Sequence, residues 1–286
     1  MDNTVINAMS VDVEDYFQVS ALEPYIPRSA WDRQPCRVEA NTSAVLELFA
    51  AAGVQATFFT LGWVAERFPH LIRRIVDEGH ELASHGRDHT RVTAMTPGQF
   101  RADVRRTKAL LEDLSGQEVK GYRAPSYSIG ANNLWALEVL QEEGHRYSSS
   151  IYPIRHDLYG MPEAPRFAFR PHGEHGILEV PVTTTTFFNH NVPCGGGGYF
   201  RLLPYTWSRW ALRHINRREG QPGMFYFHPW EIDPGQPRMQ GIGLKTRVRH
   251  YLNLGRMQAR LQRLLRDFRW GRMDQVFLKP QADKGA

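Results

Sequence analysis

The stretch QATFFTLGWVAERFPHLIRRIVDEGHELAS, residues 55–84, indicates the fold because it contains a strand, a helix and a second strand in succession. Residues 55–61 are rich in aromatic and β-branched side chains, which favour a β-strand. A helix is predicted over residues 69–78, with Gly79 as its end. Residues 81–84 then form a short strand that delivers His85 into a loop. Two strands joined by a helix predict a parallel pair with a helical crossover.

The same alternation continues on both sides of this unit. Residues 5–13 predict a strand that ends in acidic residues, and a helix capped by Asn41 ends at Gly53. Further strands are predicted at 119–122, 177–185 and 224–227, and further helices at 97–114, 132–143, 204–218 and 244–268. This order is typical of a parallel α/β sheet, which forms a barrel if it closes. Because no clean linker is visible, we expect a single domain over residues 1–286, with a C-terminal elaboration from about residue 232.

The composition is that of a globular protein. Of the 286 residues, 42% are hydrophobic and 23% are charged, and no apolar run is long enough to cross a bilayer. The N-terminus lacks the basic and apolar segments of a secretory signal, and two cysteines imply no disulfide framework, so we expect a cytoplasmic protein. The net charge of +5 is not arranged in a recognisable nucleic-acid-binding module, so we expect no nucleic-acid partner.

Acidic residues form the first of four polar groups that follow predicted strands, where the active sites of barrels collect. The group contains Asp12, Glu14 and Asp15. Because side chains alternate along a strand, Asp12 and Glu14 point the same way. A bound cation would relieve the repulsion among the three carboxylates. A solvated loop or a helix cap is the alternative interpretation of these acids.

Histidines form the second group. His85 and His89 are four residues apart, so they lie on one face of a helical turn. That spacing suits two imidazoles on one metal ion, as in zinc sites. A pair of surface histidines is the alternative.

The last two groups follow later strands. Arg123 can hold a carboxylate by a bidentate contact, and Pro125 stiffens a loop that can direct a backbone N–H at a developing oxyanion. His228 leaves an apolar strand and can act as a general acid. The alternatives are a turn with a surface arginine and a histidine at the edge of the core.

The conjunction of these groups in this order resembles the polysaccharide deacetylases of the NodB-homology type, carbohydrate esterase family 4. Asp12 with Glu14 or Asp15 looks like the family's acidic first motif. His85 and His89 match the spacing of its H-[ST]-x-x-H metal motif, with glycine where a small hydroxyl residue is usual.

Two further motifs support the resemblance. Residues 123–125 match the family's Arg-x-Pro motif, and residues 226–228 look like its late Leu-x-His motif, with Tyr226 in place of leucine. Residues 12–17 and 123–128 are most similar to members found in exopolysaccharide clusters of bacteria with exosortase-type sorting systems. The family often has an aspartate that supports the late histidine, and Ser148 stands at that place here.

The resemblance implies a distorted (β/α) barrel of about seven strands and an enzyme that removes N-acetyl groups from hexosamine units of an oligo- or polysaccharide. It also implies a divalent metal, expected to be Zn²⁺, held by His85, His89 and either Glu14 or Asp15. The implied general base is Asp12, oriented by Arg123, and the implied general acid is His228. The backbone N–H of Ser126 is the implied oxyanion donor. Relatives that hydrolyse cyclic amides, or a sugar-binding protein without activity, are the alternatives.

Two further stretches lie outside these motifs. Residues 245–272 carry nine Lys or Arg residues beside an apolar stripe, which predicts an amphipathic helix packed on the domain with a solvated basic face. Docking on an anionic membrane or polymer is the alternative, so peripheral membrane contact stays open. The four glycines at 195–198 suit a flexible lid, a close approach of sugar to backbone, or a plain surface loop.

Overall fold

A curled sheet of parallel strands forms the centre of the computed structural model, which describes residues 5–156 and 159–278. Seven of its strands follow the order β9–β1–β2–β3–β4–β5–β6, and the short β10 pairs with the first residues of β1. The prediction of a distorted α/β barrel of about seven strands is confirmed. The strands are β1 (Ile6–Val13), β2 (Thr57–Thr60), β3 (Glu81–Ser84), β4 (Gly121–Tyr122), β5 (Tyr147–Ser148), β6 (Leu178–Glu179), β9 (Met224–Phe227) and β10 (Arg269–Gly271), with β7 (Thr184–Phe187) and β8 (His190–Pro193) in a separate antiparallel ribbon.

Helices cover the outside of the sheet. In the described part of the chain they are α1 (Val38–Ala52), α2 (Gly62–Arg67), α3 (Pro69–Asp77), α4 (Pro97–Ser115), α5 (Trp135–Glu142), α6 (Gly197–Leu202), α7 (Tyr205–Arg218), α8 (Leu244–Tyr251), α9 (Leu254–Asp267) and α10 (Met273–Phe277). The β2–α3–β3 unit forms as predicted, with Thr57 beside Glu81 and Thr60 beside Ser84 in parallel register.

The largest apolar cluster lies between the sheet and helices α1, α3 and α9. In β1, Met9, Val11 and Val13 belong to this cluster, whereas Ala8 lies in a second cluster with residues of β2, β3 and β5. Strand alternation therefore places Asp12 on the same face of β1 as Ala8, the face opposite the largest cluster. No helix of the described residues is long and apolar enough to span a membrane.

Two departures from the predicted helices come with hydrogen bonds to distant residues, whereas α5 simply begins at Trp135 rather than at residue 132. The first helix begins at Val38, before Asn41, because Asn41 is buried and donates to Asp233 instead of capping the helix. The predicted helix over 244–268 is broken into α8 and α9 at Asn253, which has a left-handed backbone (φ 55°) and donates to the carbonyl oxygen of Arg201. A tertiary hydrogen bond therefore accompanies the departures at α1 and at Asn253, and sequence periodicity does not report such bonds.

The glycines at 195–198 help to close the gap between the two ends of the open sheet. Tyr226 of β9 donates its backbone N–H to the carbonyl oxygen of Gly195, and Gly195 donates to Thr183, beyond β6. Gly195, Gly196 and Gly197 are buried, and only Gly198 of the four is exposed. A Cβ atom on Gly195 would lie 2.5 Å from the carbonyl oxygen of Met224. The first three glycines are therefore packed into the wall of the barrel and do not form a surface loop.

Candidate active site

The four predicted groups meet at one edge of the sheet, because they follow the carboxyl ends of β1, β3, β4 and β9. They open into a cavity of about 680 Å³. Its lining includes Asp12, Glu14, His85, His89, Ser126 and His228. Residues that are up to 216 positions apart in sequence thus face one space, as the parallel sheet predicts.

Glu14, His85 and His89 form a compact group of buried side chains. One ligand atom from each lies within 4.8 Å of the others, and His89 Nε2 is 2.9 Å from Glu14 Oε2. His85 Nδ1 donates to the carbonyl oxygen of Arg123 at 2.9 Å, which leaves Nε2 unprotonated when the ring is neutral. A backbone acceptor behind a histidine is the usual support of a metal ligand.

The donor set fits a divalent metal ion. Two imidazole nitrogens and one carboxylate oxygen are ligands that zinc accepts in sites with an open position. Burial lowers the pKa of His85 to about 4, so its imidazole is neutral near pH 7, the form that binds metals. Burial alone would raise the pKa of Glu14, but His89, His228 and His85 outweigh it and lower the pKa to about 2. Among the described residues, the buried Glu14 Oε2 has no hydrogen bond of good geometry, which suits an atom that binds a cation.

Asp15 does not join this group. Its Oδ1 accepts the backbone N–H of Tyr16, and its Oδ2 accepts the backbone N–H groups of Arg37 and Val38. Asp15 thereby caps the short 3₁₀ helix Tyr16–Gln18, because the strand has ended and the chain turns after Glu14. Of the two alternatives in the sequence, the structure brings Glu14 to the histidines, and the expectation of Asp15 as a ligand is corrected.

Asp12 and Arg123 form a buried ion pair between Asp12 Oδ1 and Arg123 Nη1. Arg123 is fully buried, and its Nε and Nη2 donate to the carbonyl oxygen and hydroxyl of Ser149 at 3.2 and 3.1 Å. The guanidinium also lies over the ring of Phe59 at 3.9 Å. The contact to Asp12 is therefore single rather than bidentate, because Nε and Nη2 are directed at Ser149 instead. Arg123 still fixes the carboxylate in place.

His228 lies beside the group of Glu14, His85 and His89, with carboxylates around its ring. Its Nε2 is 3.3 Å from Glu14 Oε1 and 3.9 Å from Asp12 Oδ2. Its Nδ1 lies 3.3 Å from Glu231 Oε2. Burial alone would lower the pKa of His228, but the negative charges of Glu14, Glu231 and Asp12 raise it to about 9. The protonated form is thereby favoured near neutral pH.

Glu231 is a functional residue that the sequence analysis missed. It accepts the backbone N–H of His228 at 3.0 Å and an N–H of buried Arg201 at 2.8 Å. A Cβ atom on Gly197 would lie 2.0 Å from Glu231 Oε2, so only glycine leaves room for this carboxylate. The carboxylate that supports the late histidine thus comes from three residues downstream, whereas Ser148 stands where the family often has an aspartate. The one signal in the sequence is the spacing of Glu231 from His228.

Three residues beside the cavity have left-handed backbones. They are His89 (φ 59°), Ser126 (φ 56°) and Tyr127 (φ 50°). Such conformations cost free energy in residues other than glycine, and they often cluster at functional sites. Ser126 lines the cavity, as expected, in the short 3₁₀ turn Pro125–Tyr127.

Comparisons with known families divide the chain into two parts. Residues 29–147 match the family described as polysaccharide deacetylase. Residues 149–278 match a family described as a domain of unknown function, DUF3473. The two parts contribute to one sheet, because β6 of the second part pairs with β5 at the end of the first part, and β9 and β10 pair with β1.

Curated relatives are similar to the first part. A peptidoglycan-N-acetylglucosamine deacetylase of Bacillus cereus is 35% identical over 98 residues, which are 34% of this chain and 36% of that protein. A peptidoglycan deacetylase of Helicobacter pylori is 33% identical over 113 residues, 40% of this chain and 38% of that protein. The chain thus spans less than half the length of these relatives.

Solved structures share the fold over nearly the whole chain. A crystal structure of a candidate polysaccharide deacetylase from Mycobacterium smegmatis has a TM-score of 0.61 at 19% identity, covering 96% of this chain and 88% of that chain. The structure of PuuE allantoinase has a TM-score of 0.59 at 17% identity, covering 95% and 88%. Structural similarity at less than 20% sequence identity shows the barrel fold but does not show which reaction the protein catalyses. The matches in sequence therefore carry the resemblance: residues 29–147 match the polysaccharide deacetylases, and residues 149–278 match a domain of unknown function.

Proposed function

We propose that the chain is a metal-dependent hydrolase that removes N-acetyl groups from hexosamine units of a polysaccharide. One observation carries this proposal: the Glu14, His85 and His89 group shares a cavity with the Asp12–Arg123 ion pair and with His228. A cation site, a fixed carboxylate and a protonated imidazole are the parts that amide hydrolysis needs.

Glu14, His85 and His89 would hold the metal ion, and we propose zinc because the donors are two nitrogens and one oxygen. A bound divalent metal would supply Lewis-acid polarisation and a lowered pKa for water. The remaining steps belong to side chains of this protein. Asp12 accepts the proton of the attacking water, and Arg123 holds the carboxylate in place beside the cavity.

His228 donates a proton to the leaving amine. The role suits its position, since His228 lines the cavity while its Nδ1 is held by Glu231. Amines leave poorly without protonation, so this step determines whether the tetrahedral intermediate goes forward. The backbone N–H of Ser126, in the stiff turn after Arg123, is the proposed oxyanion donor.

The substrate class is drawn from relatives and from the cavity. The matched relatives in B. cereus and H. pylori are deacetylases of peptidoglycan. A role in exopolysaccharide assembly is proposed on the resemblance of residues 12–17 and 123–128 alone. The cavity of about 680 Å³ accommodates more than one small group, and sites for neighbouring sugars would help to orient the reacting amide.

Acetate release from a length series of N-acetylglucosamine and N-acetylgalactosamine oligomers tests this function. We expect release that rises with chain length, that falls to background after chelation and that returns with added Zn²⁺. Full activity in metal-free protein would contradict the metal site, and equal rates on monomer and oligomers would contradict the neighbouring sugar sites. Hydrolysis of a cyclic ureide without any acetate release would favour the cyclic-amide alternative instead.

A further inference from the structure

The basic C-terminal segment contains two helices that use their apolar residues differently. In α9, Leu254, Met257, Leu261, Leu264 and Leu265 are all buried. In α8, only His250 and Tyr251 are buried, whereas Leu244 is 75% exposed and Val248 is 44% exposed. The apolar side of α9 is therefore occupied by the core, and α8 leaves two large aliphatic side chains in solvent.

The exposed side chains of α8 lie at the mouth of the candidate active site. Leu244 and Val248 both line the cavity, and so does Leu202 at the end of α6, which is 54% exposed. Arg201 of α6 connects α6 to the end of α8, because its guanidinium donates to the carbonyl oxygens of Arg249, His250 and Leu252. We call Leu202, Leu244, Lys245, Val248 and Arg249 the α8 lip.

The α8 lip combines aliphatic and cationic side chains. Lys245 and Arg249 line the same cavity and are exposed, and the exposed Arg247 lies between them in sequence. Helix α8 contains no acidic residue. Transfer of exposed aliphatic side chains into an acyl layer lowers the free energy of binding, and so does the attraction of neighbouring basic residues to anionic headgroups. A polysaccharide offers the charge but no apolar layer, because sugars stack on aromatic faces rather than on leucine and valine.

We propose that the α8 lip docks on a bilayer that contains anionic phospholipid, so that the cavity opens onto the membrane surface. The enzyme would then act on glycan presented at a membrane, a substrate class that rests on the proposed function. Tyr25 adds to this surface, since the residue is 41% exposed and its hydroxyl accepts the backbone N–H of Gly243, just before α8. The membrane contact itself requires no turnover, so it can be tested separately.

Sedimentation of the full chain with vesicles tests the apolar half of the lip. We expect binding to vesicles of phosphatidylcholine with phosphatidylglycerol, and weaker binding to phosphatidylcholine alone or in high salt. Leu244→Asp with Val248→Asp should weaken binding by about tenfold or more. Ile6→Asp is the control, because Ile6 is 41% exposed at the start of β1, at the other end of the strand from Asp12. This variant should bind vesicles as the wild type does. Melting temperatures verify that each variant is folded.

Charge reversal tests the cationic half. Lys245→Glu with Arg249→Glu should weaken binding to anionic vesicles by at least about 25-fold, from about fivefold for each basic residue. Arg217→Glu with Arg218→Glu, at exposed positions of α7 away from the cavity, should have a smaller effect. Asp12→Asn should bind vesicles as the wild type does, whether or not the chain releases acetate.

Three results would overturn the inference. They are a wild-type chain that stays in solution with anionic vesicles, folded lip variants that bind like the wild type, and retention on a soluble anionic polysaccharide without vesicle binding. Loss of acetate release from every substrate, with vesicle binding intact, would contradict the proposed function and leave the membrane contact standing.

Discussion

At the residue scale, the candidate site separates residues that would hold a metal from residues that move a proton. His85 belongs to the group of possible metal ligands with Glu14 and His89, whereas His228 lies outside that group and has its own support from Glu231. His228→Ala should therefore lower turnover by roughly 10² to 10⁴-fold while the metal stays bound. His85→Ala should lose both metal and turnover. Elemental analysis and acetate release on the same preparations measure the two effects, and loss of metal from His228→Ala would show that its role is misassigned.

Glu231 gives a second prediction at this scale. Its charge is one of those that raise the pKa of His228, so Glu231→Gln should lower that pKa. Because His228 must be protonated to act as an acid, the alkaline limb of the pH–rate profile should move to lower pH. Turnover should fall by about 10 to 100-fold, with KM little changed. Glu138→Gln, at an exposed carboxylate of α5, is the control. An unshifted alkaline limb in folded Glu231→Gln protein would contradict the positioning role.

At the scale of elements, the start of α6 determines whether Glu231 fits. A Cβ atom on Gly197 would collide with the Glu231 carboxylate, whereas a Cβ atom on Gly198 would meet nothing within 4 Å. Gly197→Ala should therefore lower the free energy of unfolding by about 1–3 kcal/mol and should also lower turnover. Gly198→Ala, one residue further on, is the matched control and should change neither by much. Urea unfolding and acetate release compare the two, and equal behaviour of both variants would count against this packing role.

At the scale of the whole molecule, stability depends on buried carboxyl groups in the barrel. Burial raises the pKa of Glu179 to about 7 from an ordinary value of 4.5. The folded state therefore binds more protons than the unfolded state between these values, and Glu179 makes stability fall as pH rises from about 4.5 to 7. Its Oε1 accepts the backbone N–H groups of Ser150 and Ile151, which a glutamine oxygen can also do.

Glu179→Gln should consequently be more stable than the wild type at pH 8, by about 1–3 kcal/mol, and the difference should shrink toward pH 4.5. Urea unfolding at several pH values measures this difference. Glu81, whose pKa is also raised to about 7 with burial as the largest cause, is present in both proteins, so the comparison isolates Glu179. A stability difference that does not vary with pH would refute the assignment.

The sequence by itself determined the β2–α3–β3 unit, the parallel sheet and the convergence of Asp12, His85, Arg123 and His228 at its carboxyl edge. These features follow from local periodicity and from the rule that parallel strands end on one side. The broken helix at Asn253 and the start of α1 at Val38 did not follow, because hydrogen bonds to distant residues accompany them.

Only the tertiary structure decided between Glu14 and Asp15, because the choice depends on where the chain turns and on the N–H groups of Arg37 and Val38 that reach Asp15. It alone revealed Glu231 as the support of His228, since that role needs Arg201 and the space above Gly197. It also decided which part of the basic segment is buried. Periodicity shows that a helix has an apolar side, but whether the core or the solvent meets that side depends on packing between residues far apart in sequence.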